Sequence, residues 1–181
     1  MRLGEAGAGS RRVSDPTDDG RASGRVRVAR PEEIDRVVAL WALITRHHEA
    51  LDPLFRMRRD AVAEGALREL LRALHRDPDA EILVFDRGGT GTPEGLCIVR
   101  IDRAPPILEE TERAEITDLG VRPGLRRQGV GRRLVEAAQS WVRDRGVERI
   151  EIQVAHGNRE GQAFWRRLGY GDLMDVLHKR L

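Results

Sequence analysis

The sequence predicts a mixed α/β (α+β) domain in which a central, twisted, mostly antiparallel sheet is flanked by helices. Three observations lead there. Two apolar periodicities of helical spacing follow one another early in the chain. Two strand-length runs joined by a glycine-rich stretch then make an antiparallel hairpin. Last, strand and helix patterns alternate as far as the C-terminus, and no internal repeat interrupts them.

Each element has its own local cause. Met1 to Gly24 is rich in Gly, Ser, Asp and Arg and nearly free of apolar residues. Such a segment cannot bury enough surface to offset chain entropy, so residues 1–24 are expected to be a disordered tail. Residues 25–181 are expected to form one domain. Alternation over Arg25–Val28 predicts a first strand. Pro31-Glu32-Glu33 then opens a helix, with proline suited to the first turn and the acids to the positive end of the macrodipole. Its apolar face runs Ile34, Val37, Val38, Trp41, Ile44, and Leu51-Asp52-Pro53 breaks it. A second helix covers Asp60–Arg76, with Leu67, Leu70, Leu71 and Leu74 inward. Glu81–Phe85 and Gly95–Ile101 are the hairpin strands, turned at Gly88-Gly89-Thr90-Gly91. After Pro105-Pro106 come a strand at 114–121 and a helix from about Val130 to Arg145, stopped by Gly146. A strand over Arg149–Val154, a helix over Asn158–Leu168 and a last strand over Met174–Leu177 complete the expected order.

Composition narrows the function classes. The chain has 181 residues, 40% of them hydrophobic, and no apolar run near the length of a membrane span, roughly 18 residues. No apolar leader is visible and Cys97 is the sole cysteine, so a disulfide framework is excluded and a cytoplasmic setting is expected. With 32 basic against 30 acidic residues, the charges are interspersed rather than gathered on one face. Aromatics make up only 4% of the chain, leaving few stacking platforms. Neither nucleic acid nor a membrane is an expected partner, and steep salt dependence of oligonucleotide affinity would be needed to revive the former.

The most informative stretch runs from Glu115 to Leu134: a strand, a polar turn, and a helix that begins within Gly129-Val130-Gly131. The first turn of a helix leaves backbone N–H groups without partners, and its dipole adds positive potential. Glycines let an anion approach that backbone, and Arg126, Arg127, Arg132 and Arg133 add charge, so the turn has the form of a pyrophosphate cradle. The same glycines could equally serve tight packing alone. Two other phosphate motifs fail. A P-loop requires Gly-Lys-Ser/Thr, and the chain's one lysine is Lys179. The dinucleotide fingerprint requires a third glycine where Leu134 stands, and Glu151, 20 residues beyond Gly131, lies within a predicted strand rather than at its end.

Arg126-x-x-Gly129-x-Gly131, preceded by Leu119-Gly120-Val121-Arg122-Pro123, resembles motif A of the GNAT superfamily of acyl-CoA-dependent N-acyltransferases. Val154-Ala155-His156-Gly157-Asn158 resembles that family's strand-then-Asn segment. Gly161, Phe164 and Leu168-Gly169-Tyr170 sit where it usually has Ala, Phe or Leu, and Leu-Gly-Phe. The resemblance covers roughly Arg25 to the C-terminus and is most specific over 115–170. It implies a GNAT-like sheet splayed at its middle and acetyl-CoA as co-substrate, with no metal. It also implies that backbone amides of Gln128, Gly129, Val130 and Gly131, with Arg126, Arg127 and Arg132, hold the coenzyme A pyrophosphate. Backbone at Leu119 and Val121 would pair with the pantetheine arm. A β-bulge near Leu119-Gly120 would aim an N–H at the thioester carbonyl. Phe164 falls within the implied cofactor site. Asn158 would contact pantetheine or cap its helix, and the capping role is also what its residue type alone suggests.

Direct acyl transfer needs a neutral amine and a proton for the departing thiolate. The resemblance would supply the acid from a tyrosine beside the helix phenylalanine, but Trp165 stands there. Water, the substrate, or Tyr170 from a displaced position remain. For the base, Glu115 matches the catalytic glutamate of histone-acetylating members. Asp118 is second, on the opposite face from Glu115 by strand alternation. Both could instead be solvated or ion-paired carboxylates. His47-His48-Glu49 and Asp52 suggest a polar wall; the equivalent helical region of the family often lines the acceptor pocket. Adjacent histidines diverge around a helix, which argues against a metal. His156 is expected in a loop, and Cys97 as a small buried residue. The implied function is N-acetylation of a small-molecule or protein amine. The rival from another class is an acyl-CoA-binding or sensing domain with little turnover. Homodimers are common in the family.

Overall fold

Two runs of almost wholly buried residues form the centre of the fold: β2 (Ala80–Asp86) and β3 (Gly95–Arg103), paired antiparallel. β1 (Arg25–Val28) pairs with β2, β4 (Glu112–Val121) with β3, and the short β5 (Ile150–Ile152) closes the order β1-β2-β3-β4-β5. All pairings are antiparallel except β4–β5, which is parallel. The computed structural model describes residues 22–88 and 91–179. The expected tail therefore lies outside the described residues except at Ala22–Gly24, and the hairpin turn lies partly outside them. Ala22 is buried, and its N–H donates to the Gln128 carbonyl at 3.3 Å.

Helices cover both faces, as the two kinds of periodicity require. On one face α1 (Ile34–Glu49) and α2 (Ala61–Arg76) place Val37, Val38, Leu40 and Leu71 against Ile82, Val84, Leu96 and Ile98. On the other, Leu134, Val135, Ala138 and Val142 of α3 (Val130–Arg143) meet Phe85, Cys97, Val99 and Ala114. The last helix, α4 (Arg159–Arg167), joins this second layer through Trp165. Residues Pro31–Glu33, expected as the first turn of α1, form a separate 3-10 turn ahead of it. Asp60 caps α2, its side chain accepting the Ala63 N–H at 2.8 Å.

The sheet opens where β4 and β5 part. Their pairing ends at Ile116–Ile152, so among the described residues β4 has no strand neighbour on that side from Thr117 to Val121. This divergence also shortens the strand expected over Arg149–Val154 to Ile150–Ile152. The strand expected over Met174–Leu177 does not form: 170–179 is irregular, with Leu173, Met174, Val176 and Leu177 exposed. The reason is in the pattern. Adjacent apolar pairs, Leu173-Met174 and Val176-Leu177, give neither face of a strand a uniform apolar side.

One polar cluster is enclosed at the start of α1. Glu33, its side chain 1% exposed, accepts two hydrogen bonds from Arg27 at 2.7 Å each, one from the Arg30 side chain at 2.9 Å and one from the Arg30 N–H at 3.0 Å. Arg27 also reaches buried Asp86 at 3.1 Å. The Arg27 guanidinium holds the Glu33 carboxyl far below the usual carboxylate range, despite burial.

Candidate functional site

The site assembles around the C-terminal half of β4. Opposite Ile98 stands Asp118, but opposite Val99 stands Ile116, so Thr117 is an extra residue: a β-bulge. The bulge lies ahead of the expected Leu119-Gly120. It also overturns the placement of Asp118 by alternation. Before it, Ala114 and Ile116 face α3 and Glu115 faces the other layer. After it, Leu119 and Val121 face α3 and Asp118 turns to α1. Adding one residue shifts the period by one, so Glu115 and Asp118 share a face.

Neither carboxylate is free. Glu115 is paired with Arg100 at 2.9 Å, and Gln153 stands 3.5 Å from its other oxygen. Asp118 accepts the indole N–H of Trp41 at 2.7 Å and the Thr117 hydroxyl at 2.9 Å. Helix α1 is pressed onto this part of β4. A Cβ placed on Gly120 would collide with the side chain of Ile44, which makes glycine a requirement of close approach there. Gly120→Ala is expected to overpack the contact, costing about 1–3 kcal/mol and roughly 3–10 °C in melting temperature. A thermal melt checks it.

The turn that follows has an unusual backbone. Arg127, with a side chain, adopts φ 65°, and Gly129 adopts φ 78°; both are left-handed. A non-glycine residue held there costs of order 1 kcal/mol and persists only where its surroundings impose it. Gly129 is the N-cap of α3 and offers no capping side chain, while the first helical bond of the series runs from the Arg133 N–H to the Gly129 carbonyl. The N–H groups of Val130, Gly131 and Arg132 therefore precede any intrahelical partner. Successive N–H groups around left-handed residues form a concave anion nest. A Cβ on Gly131 would meet Phe164 at 3.6 Å and Val121 at 3.9 Å, ordinary contacts, and one on Gly129 would meet nothing within 4 Å. Packing alone thus does not demand Gly131, which weighs against the packing reading and leaves room over the helix start. Gln128 braces the turn by donating to the Gly124 carbonyl at 2.9 Å. Arg126 and Arg127 are exposed at its mouth, and Arg132 pairs with Glu136 at 2.8 Å. Arg133 is turned away, holding the Ala22 and Gly24 carbonyls at 3.1 and 2.5 Å.

The remaining expected residues divide. Phe164 lies beside Gly131, close to Val121. Asn158 caps α4, its side chain accepting the Gly161 N–H at 2.9 Å. Tyr170 is not brought to the carboxylates. It packs in the α3 layer against Trp165, ring centroids 4.9 Å apart, and its hydroxyl lies 3.4 Å from Gln139. Burial raises its phenol above the usual range. Cys97 is fully buried, and burial pushes its thiol up as well. His156 lies in a loop.

His48, expected with His47 as part of a polar wall, lies on this same face of α1. It follows Trp41 and Ile44 at i+7 and i+4 on α1, the stripe that covers Asp118 and Gly120. It is half-buried, with Phe55 of the following 3-10 turn 6.1 Å from its ring. The signal was present in that spacing, but the pairing of α1 with β4 is not written in it.

Among the described residues, an edge of β4 left open, a splayed fifth strand and an α3 start without a side-chain cap define the fold around the site, and comparison makes its class specific. The Acetyltransferase (GNAT) family profile matches residues 38–170. The chain belongs to the GNAT acetyltransferase family. Over 94 residues it is 39% identical to a mycothiol acetyltransferase of Beutenbergia cavernae, a stretch covering 52% of this chain and 29% of that relative's length. A crystal structure of a tetramutant of the BH1408 protein from Bacillus halodurans has the same fold, with TM-score 0.73, 21% identity, and coverage of 87% of this chain and 99% of that one. So does the aminoglycoside N-acetyltransferase AAC(6')-Iy in complex with CoA, with TM-score 0.66, 16% identity, and coverage of 87% and 94%.

Proposed function

We propose that this protein is an N-acetyltransferase that transfers an acetyl group from acetyl-CoA to a primary amine by direct attack within a ternary complex. The observation that carries the reading is the turn at 126–131. Left-handed Arg127 and Gly129 precede an uncapped helix start, and the space beside Gly129 is open.

In this reading the amides of Gln128, Gly129, Val130 and Gly131 hold the pyrophosphate, with Arg126, Arg127 and Arg132 adding charge around it. The edge of β4 left open beyond Ile116 lends its backbone at Leu119 and Val121 to the pantetheine arm as an added strand would. Phe164 walls the site beside Gly131, and Asn158 keeps α4 in place through its cap. The thioester, when bound, supplies the activated acyl group. An N–H on the bulged segment near Gly120 would stabilise charge developing on the carbonyl oxygen. Glu115 and Asp118, on one face of the bulged strand, are the carboxylates nearest the chemistry. Tyr170, whose hydroxyl accepts from Gln139 within the α3 layer, would have to move to the carboxylates to serve as the acid.

Relatives and fold neighbours named for mycothiol and aminoglycosides make small-molecule amines the first acceptors to screen, ahead of protein amines. The test joins titration calorimetry of acetyl-CoA with thiol release across an amine panel. Micromolar binding with amine-dependent thiol release supports the enzyme. Binding without turnover on any amine favours a sensing domain, and no binding removes both. Glu115→Gln is expected to change kcat by less than about threefold, because a carboxylate committed to Arg100 contributes little as a base. An altered pH–rate profile in that variant would return Glu115 to the mechanism.

A further inference from the structure

We propose that His48 is the proton acceptor for the incoming amine, on the α1 face whose Trp41 holds Asp118 of β4. The inference rests on the N-acetyltransferase reading and goes beyond it by assigning the base to a helix rather than to the bulged strand.

The geometry comes from three turns of one helix face. Trp41 ties α1 to Asp118 through its indole N–H at 2.7 Å. Ile44, one turn on, lies against Gly120 so closely that no Cβ fits between them. His48, one turn further, continues the same stripe toward the open end of β4, where the strand edge is unpaired. Its ring is half-buried against Phe55, 6.1 Å between centroids and tilted 57°. The titratable groups whose charge acts on it are His47 on its own helix and Asp118 on β4. The 3-10 turn contributes Phe55, and Asp52 points its carboxylate at the Leu54 N–H instead.

The chemistry fits that setting. Burial first, and neighbouring His47 second, push the His48 imidazole below its ordinary range, while Asp118 acts in the opposite sense. An imidazole neutral at physiological pH can accept a proton, and a carboxylate nearby stabilises the imidazolium that results. The two carboxylates lack that combination. Glu115 is tied to an arginine, and Asp118 already accepts two hydrogen bonds. The balance is simple. An ammonium nitrogen gives one proton to His48 and becomes nucleophilic. As its bond to the acyl carbon forms and the carbon–sulfur bond breaks, its second proton neutralises the departing sulfur. His48 returns its proton to solvent.

The experiment has two arms. In the first, His48→Gln and the control His47→Gln are assayed for thiol release with acetyl-CoA and each of ethanolamine, putrescine and lysine. His48→Gln should lose about 100-fold in kcat with unchanged acetyl-CoA affinity, and should lose the acidic limb of the kcat/KM profile. His47→Gln should keep both. In the second arm, which needs no acceptor, the histidine ring resonances are titrated by NMR. The His48 midpoint should lie below about 6.5, and Asp118→Asn, which can still accept from Trp41, should lower it further. A wild-type profile in His48→Gln, or a His48 midpoint that Asp118→Asn leaves in place, overturns the assignment. Absent acetyl-CoA binding in the wild type would instead remove the acetyltransferase reading.

Discussion

Gly129→Glu is expected to weaken acetyl-CoA binding by at least about 100-fold in calorimetry while leaving the chain folded. Two effects act together. At φ 78° a side chain is strained, a cost of order 1–2 kcal/mol that falls on the turn rather than on the core. The new carboxylate would also stand at the mouth of the nest, where the proposed pyrophosphate is anionic, and like charges at close range are repelled strongly wherever water is partly excluded. Nothing lies within 4 Å of the added Cβ, so the variant has room to fold. Gly129→Ala separates the terms. It carries the strain without the charge and should lose roughly tenfold or less. Equal losses in the two variants would mean that backbone geometry alone makes the site. Unchanged binding in both would mean that acetyl-CoA binds elsewhere.

Glu33→Ala should be the most destabilising single change at a polar position. It strips Arg27 of a two-pronged partner and leaves its guanidinium, 16% exposed, with Asp86 as the remaining carboxylate. Removing one member of an enclosed ion pair costs about 3–5 kcal/mol, or roughly 6–15 °C in melting temperature for a chain of this size. The pH dependence has a definite sign. Glu33 is depressed chiefly by Arg27, and Asp86 is lowered chiefly by the Gly88 N–H. Their contribution is therefore complete above the unfolded carboxylate range, about pH 4, and is lost as pH falls through it toward the lower folded values. Denaturant melts between about pH 5 and 2 should show steeper acid loss in the wild type than in Glu33→Ala. Parallel curves would exclude the cluster as the source.

The arginine of this cluster was legible only as one of many interspersed charges. Arg27 and Glu33 are six residues apart, but Asp86 lies 59 residues beyond Arg27, and nothing in composition says that β1 and β2 bring it to them. The carboxylates of the site were read with the same limit. Strand alternation was applied correctly to Glu115 and Asp118, yet one extra residue at Thr117 reversed its result. A bulge is set by the partner strand's register, which local pattern does not contain. The last expected strand failed for a related reason: an apolar segment becomes a strand only when an edge receives it, and Met174–Leu177 pairs with none among the described residues.

Local chemistry by itself determines most of the elements. Helical periodicity located α1 to α4. β-branched and apolar runs located β2 to β4. The glycine spacing at 129 and 131 marked a helix start whose N–H groups have no side-chain cap. These follow from backbone sterics and from interactions a few residues long, which the order of residues specifies directly. Tertiary structure alone decided the bulge, the open edge of β4, the clasp of Arg133 on Ala22 and Gly24, and the approach of Trp41 to Asp118 and of Ile44 to Gly120. Each depends on which surfaces meet, and that is set by the packing of the whole sheet between its helices.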